Sequence, residues 1–239
     1  MIGLGRYFGI KVYLHWTFFL AMVYVGYSSW QPGQSWQQMA LVQIMLLLVF
    51  SFVLLHEYGH ALAARRFGVG TREIILTPVG GVAMLMGIPR SPFAEIVIAL
   101  AGPAVNLFFL ILFGGLDLAL HFSGTSEQLL GGGVEQVVGL LFQVNFILFA
   151  FNLLPAFPMD GGRVLRALLA IPMSYESATR VAVIIGQIMA VAFIAVGGYL
   201  GHWQLSLVGL FVLLAGSGEL RRVEMENAHL RAQDEGRMQ

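Results

Sequence analysis

Cysteine is absent from this 239-residue sequence, and charged side chains make up only 11% of it. The first absence removes a disulfide framework and every thiolate ligand, so any metal must be held by His, Asp or Glu. The second lies far below the roughly 25% of a soluble domain. With 58% hydrophobic residues and a mean hydropathy of +0.79, most of the chain must face lipid or a lipid-buried core. The formal net charge is zero, so no basic footprint marks a nucleic-acid partner. Nor does a signal-peptide pattern open the chain, because the first apolar run leads straight into another.

Six apolar segments read as spans, each near the roughly 20 residues that cross hydrocarbon. They run approximately over 13–29, 39–64, 96–122, 137–154, 178–200 and 203–218. The basic residues segregate completely. Arg6 and Lys11 precede the first span, and Arg65, Arg66, Arg72 and Arg90 lie between the second and third. Arg163, Arg166 and Arg180 lie between the fourth and fifth, and Arg221, Arg222, Arg231 and Arg237 follow the sixth. The loops at 31–38 and 123–136 hold no basic residue. By the positive-inside rule both termini are cytoplasmic, and the clean segregation supports a count of six. The expectation is an all-α polytopic membrane protein, with a six-span core over residues 1–220 and a short charged tail at 221–239. No inverted internal repeat of the transporter kind is present, and no second soluble domain is expected.

One segment between the second and third spans departs from the helical pattern. TREIILTPVGGVAMLMGIPR, residues 71–90, is apolar enough to enter the membrane but too short to cross it. Two strand-like runs flank Gly80-Gly81, which suggests a small β-hairpin that dips in and returns. Lipid does not tolerate an open sheet edge, so the hairpin must be covered by protein or line a wet cavity. Such an edge can hold an extended polypeptide by β-augmentation.

The chemistry concentrates in two places. His56-Glu57-Tyr58-Gly59-His60 sits in the second span. Two imidazoles four residues apart project from one helix face and can grip one metal ion. Glu57 flanks that face, where a carboxylate can take a proton from water and pass it to a leaving amine. Three such groups in an apolar span are each costly, which favours function over a polar cluster pinning helices together. A catalytic zinc usually takes three protein ligands and leaves one position open. Asp160 fits as the third, at the end of the fourth span in Asn152-Leu-Leu-Pro155-Ala-Phe-Pro158-Met-Asp160-Gly161-Gly162. The two prolines stop the helix, and the glycines allow a tight turn beside it. Both ligand-bearing spans run outside to inside, so the topology puts all three ligands at one cytoplasmic level.

Together the HExxH in a span and the Asn-x-x-Pro-x-x-Pro-x-Asp-Gly-Gly segment resemble the site-2 protease family of intramembrane metalloproteases. The resemblance covers nearly the whole chain. It implies one zinc ion per chain held by His56, His60 and Asp160, with Glu57 as catalytic acid and base. It also implies cleavage, near the cytoplasmic side of a prokaryotic membrane, of single-span membrane proteins such as anti-sigma factors, membrane-bound precursors or signal-peptide remnants. Ala101-Gly102-Pro103-Ala104-Val105-Asn106 looks like the family's Gly-Pro-x-x-Asn element. Asn106 would then face the site and hold substrate or an oxyanion, or else make a helix–helix hydrogen bond. Asn152 carries the same two readings, and the hairpin's Gly80 and Gly81 are further candidates for substrate contact. Neither the PDZ nor the CBS domain of some members is expected in this chain, although the stretch at 9–16 looks like members that carry a CBS domain.

Other residues draw weaker expectations. His15 could approach the site, but packing is favoured. His121 and His202 fall toward the outer face, and His229 lies in the tail. Trp16, Trp30, Trp36 and Trp203 read as interface anchors. Two rival readings remain: a metal transporter using the same ligands, and a catalytically inactive relative that binds clients. The first needs a second polar set toward the outer face, where only scattered His and Asp occur. The second leaves the intact Glu57 without a purpose.

Overall fold

The computed structural model describes residues 1–30, 33, 35–78, 80–87, 91–123 and 133–237, without the side chains of 123 and 226–237. Arg90, most of the loop expected at 123–136 and the side chains of His229, Arg231 and Arg237 lie outside the described residues. In chain order the elements begin β1 (Ile2–Tyr7), β2 (Ile10–Leu14), α1 (Thr17–Ser29), α2 (Trp36–Arg66), β3 (Thr71–Thr77) and β4 (Gly80–Leu85). They continue α3 (Pro92–Ser123), α4 (Gly133–Asn152), α5 (Asp160–Leu169), α6 (Tyr175–Leu200) and α7 (Trp203–Arg237). The chain divides into two compact units, Met1–Ile88 with Ala101–Ala150 and Pro89–Leu100 with Phe151–Gln239.

Among the described residues five helices are long and apolar enough to cross a membrane: α2, α3, α4, α6 and the Trp203–Met225 part of α7. They contain or closely overlap the expected spans from the second to the sixth. The first expectation needs correction. Tyr13 and Leu14 belong to β2, and α1 has only 13 residues. At 1.5 Å per residue it is about 20 Å long, short of the roughly 30 Å of hydrocarbon. An uninterrupted apolar run hid this boundary. The period-two pattern of Ile10 and Val12, both buried around an exposed Lys11, is the strand signal within it. Helix α7 runs on to Arg237, through the expected start of the tail at 221.

In the first unit a four-stranded sheet has the order β1-β2-β3-β4, with β2 and β3 parallel and both outer pairs antiparallel. The expected hairpin is β3–β4, but Thr77 pairs with Gly80, so Gly80 and Gly81 open β4 instead of forming the bend. The β1–β2 half was not expected. Its two-residue turn has Phe8 at φ 52° and Gly9 at φ 85°, the left-handed backbone that suits a tight hairpin. Ile10, Val12 and Ile74 pack against Tyr58 and Ala61 of α2, which seats the sheet on the helix that carries the His–Glu motif. Helix α2 begins in a capping box between Ser35 and Gln38 and ends on Arg65 and Arg66, which complement its dipole. Trp16, Trp30 and Trp36 are exposed at the ends of α1 and α2.

The second unit is built on α6 packed against α7. Gly201, at φ 71°, caps α6, and only two residues separate the helices. Small residues bring the backbones together: a Cβ at Gly209 would lie 2.6 Å from the Ala190 carbonyl oxygen. Without a hydrophobic drive between helices in lipid, close packing of this kind supplies the association. Phe157 packs with Ala182 and Val183, and Ala156 and Met159 with Ala190 and Val212, so the chain entering α5 is held on this pair.

Candidate metal centre

Helix α2 places His56 and His60 one turn apart, 5% and 4% exposed, with their Nε2 atoms 3.0 Å from each other. Two nitrogens bound to one tetrahedral zinc at about 2.0–2.1 Å would be separated by about 3.3 Å, so the pair needs only a small opening to share an ion. The donor chemistry fits zinc, and the cysteine-free sequence leaves nitrogen and oxygen as its ligands.

Space for the imidazoles comes from glycine. A Cβ at Gly59 would lie 2.5 Å from the Ala101 carbonyl oxygen, so the α2 and α3 backbones touch there. A Cβ at Gly102 would collide with His60 Nε2 and lie 2.7 Å from His56 Nε2. The glycine of the Gly-Pro-x-x-Asn element therefore leaves the volume beside both nitrogens open.

Asn106 is fully buried, and its Oδ1 lies 2.6 Å from His56 Nδ1. Its amide donates to Asn145 Oδ1 at 3.2 Å, and Asn145, also fully buried, donates to the Leu141 carbonyl at 2.9 Å. Asn106 thus makes a helix–helix hydrogen bond while also touching a candidate ligand. Asn145 was missed. Its signal was available, because an amide inside an apolar span needs a partner.

Glu57 lies against the sheet. Its Oε2 accepts the Ala83 N–H at 2.9 Å, and a Cβ at Gly81 would come within 2.5 Å of its Cγ. The strand it touches, β4, is the last in the sheet order. Of the two hairpin glycines, Gly81 therefore packs on the candidate base, and Gly80, at φ 144°, takes a backbone that only glycine adopts readily. His15 is used locally: Nδ1 pairs with Thr17 Oγ1 at 2.7 Å at the start of α1.

In the second unit Asp160 is buried and opens α5, where a carboxylate complements the helix dipole. Asn152 is the last residue of α4. Gly161 and Gly162 are helical, so close approach explains them better than turning freedom. A Cβ at Gly161 would collide with the Leu153 and Leu154 carbonyls, and one at Gly162 would lie 2.6 Å from the Ala156 carbonyl carbon. Arg163 approaches Asp160 only to 3.8 Å, too long for a strong ion pair.

Arg166, counted above among the loop charges, is 1% exposed. Its Nε donates to Glu95 Oε1 at 2.8 Å and its Nη1 to Glu219 Oε1 at 2.6 Å. The Phe157 and Tyr175 rings lie 5.0 and 4.8 Å from its guanidinium carbon. Burial works against its charge, but Glu95, then Tyr175 and Glu219, outweigh it and hold its pKa above the ordinary arginine value. The ionic knot ties α5 to the first turn of α3 and to α7, and both carboxylates lie more than 50 residues from Arg166 in sequence.

Comparison with known proteins agrees with this chemistry. The model of peptidase family M50 matches residues 44–123 and 114–196. A zinc metalloprotease of Methanocaldococcus jannaschii is 37% identical over 226 residues, covering 94% of this chain and 62% of that protein. The protein Rip3 of Mycobacterium tuberculosis, provisionally named a zinc metalloprotease, is 32% identical over 94% of this chain and 60% of its own length. The chain thus spans about three-fifths of these relatives. The solved structure of the site-2 protease from Methanocaldococcus jannaschii superposes with a TM-score of 0.63 at 32% identity, covering 92% of this chain and 94% of that one.

Proposed function

The chain belongs to peptidase family M50, the site-2 protease family, and on that premise we propose that it is an intramembrane zinc metalloendopeptidase. One observation carries this reading. Two buried imidazoles with Nε2 atoms 3.0 Å apart bracket a glutamate on a 31-residue apolar helix. Asp160 supplies the third ligand, supported by its burial, its type and its motif. Zinc held by His56, His60 and Asp160, one ion per chain, would supply Lewis-acid polarisation of a carbonyl and acidification of water.

The chain's own residues do the rest. Glu57 takes a proton from the attacking water and returns it to the leaving amine nitrogen. Its carboxylate already meets the N–H of an edge strand, so an extended substrate paired along β4 would run beside it. Gly80, Gly81 and Asn152 are the candidates for contact with that substrate. A helical substrate shields its peptide bonds, and pairing with a strand would hold one open for attack.

The substrates are single-span membrane proteins, and the protein is a multi-pass component of a prokaryotic cytoplasmic membrane with both termini cytoplasmic. The sixth crossing is made by α1, with exposed Trp16 and Trp30 at its two ends and local thinning of the bilayer taking up the mismatch. Residues 1–220 form the catalytic core and 221–239 its tail.

The test compares membrane fragments from cells carrying wild type and Glu57→Gln. Fragments of single-span proteins should appear only with wild type, while both proteins retain zinc. Equal fragments from both would rule out Glu57 as the base.

A further inference from the structure

Three helices are joined by one chain of hydrogen bonds, and its direction is fixed at one end. The Leu141 carbonyl can only accept, so the group facing it at 2.9 Å must be the Asn145 NH₂. That turns Asn145 Oδ1 toward Asn106, whose NH₂ donates at 3.2 Å. Asn106 Oδ1 then faces His56 Nδ1 at 2.6 Å and can only accept there. His56 must therefore carry its proton on Nδ1, which leaves the Nε2 lone pair directed at His60 Nε2 and the metal position. Turning either amide over would set two oxygens or two NH₂ groups against each other where Asn106 and Asn145 have no exposure to water.

We propose that Asn145 is a positioning residue: through Asn106 it selects the metal-binding tautomer of His56 and orients its ring. The proposal rests on the metalloprotease reading for its purpose, but the tautomer itself is a property of the metal-free protein. Metal-binding histidines generally give their second N–H to an acceptor that fixes the ring, and loss of that partner typically costs about 10–100-fold in metal affinity or activity. What is new is the source of the constraint. The acceptor's own orientation is set one helix further away, by a backbone carbonyl of α4, outside the HExxH, Gly-Pro-x-x-Asn and Asp160 motifs.

The experiment has two readouts. In metal-free wild type, ¹⁵N NMR of labelled histidines should show His56 protonated on Nδ1. Asn145→Leu, close in shape but unable to hydrogen-bond, should populate the Nε2-protonated form and weaken zinc binding by about 10–100-fold in competition with a chelator. Asn106→Asp added to Asn145→Leu should restore both, because a carboxylate accepts from Nδ1 without an amide partner to orient it. A purely structural role for Asn145 would not be rescued in this way. Wild type protonated on Nε2, Asn145→Leu with unchanged zinc affinity, or a double variant no better than the single one would each overturn the proposal. Wild type that binds no zinc would instead overturn the metalloprotease reading, and the metal-free tautomer would still decide the relay.

Discussion

In the first unit, His56 is braced by the neutral amides of Asn106 and Asn145. In the second, the helix that opens with Asp160 is braced by the guanidinium of Arg166 between Glu95 and Glu219. The amides sit in α3 and α4, both long and apolar enough to cross a membrane, while Arg166 sits in the ten-residue α5. The difference follows solvation. A neutral amide in a span costs only its hydrogen bonds, and these are made, whereas an ion buried there costs several kcal/mol even when paired. Ionic bracing is therefore centred on a short helix, and its carboxylates come from near the ends of longer ones: Glu95 in the first turn of α3, and Glu219 close before the Met225 end of the apolar part of α7. Neutral bracing fixes a proton's position; ionic bracing fixes a helix's position.

Four substitutions test the contrast, from the largest effect to the smallest. Gly102→Ala leaves both braces intact but puts a methyl into the space of His60 Nε2. Near-complete loss of bound zinc is expected by metal analysis of purified protein, with thermal unfolding little changed. Arg166→Met leaves Glu95 buried and unpaired, and unfolding in denaturant should show a loss of about 3–5 kcal/mol. If the cost is below about 1 kcal/mol, the knot is not a brace. Ala83→Pro removes the N–H that Glu57 accepts and breaks the β4 edge. Turnover of a membrane substrate should fall by up to about 10²-fold with zinc retained, since a misplacement of about 1 Å can cost that much. Equal loss of zinc and turnover would make the strand merely structural. Tyr58→Phe deletes a 3.3 Å hydrogen bond to the Tyr7 carbonyl and should cost about 0.5–1.5 kcal/mol of stability, without changing zinc content.

The features most legible in the chain are those whose partners are near in sequence. His56, Glu57 and His60 share one helical turn, and β3 and β4 are joined by a tight bend. Features with distant partners were missed. Lys11 pairs with Glu73 across two helices, so the sequence alone assigns Tyr13 and Leu14, the end of β2, to the start of a span. Asn145 is not singled out by the sequence, because its partner Asn106 lies 39 residues away. Arg166 reads as a loop charge in the sequence because composition carries no information about Glu95 and Glu219. The glycines beside Asp160 were noticed for the right motif and the wrong reason: neighbouring carbonyls, and not a turn, exclude a side chain there.

On the proposed reading, His56, His60 and Asp160 hold one zinc ion between them. Its most direct test is the zinc content, per purified chain, of wild type, His56→Ala and Asp160→Ala, prepared without chelator and reloaded. About one zinc in wild type, lost or weakened in both variants, is the expected result. A wild-type chain without zinc, or an Asp160→Ala chain that binds it as tightly as wild type, would contradict that ligand set.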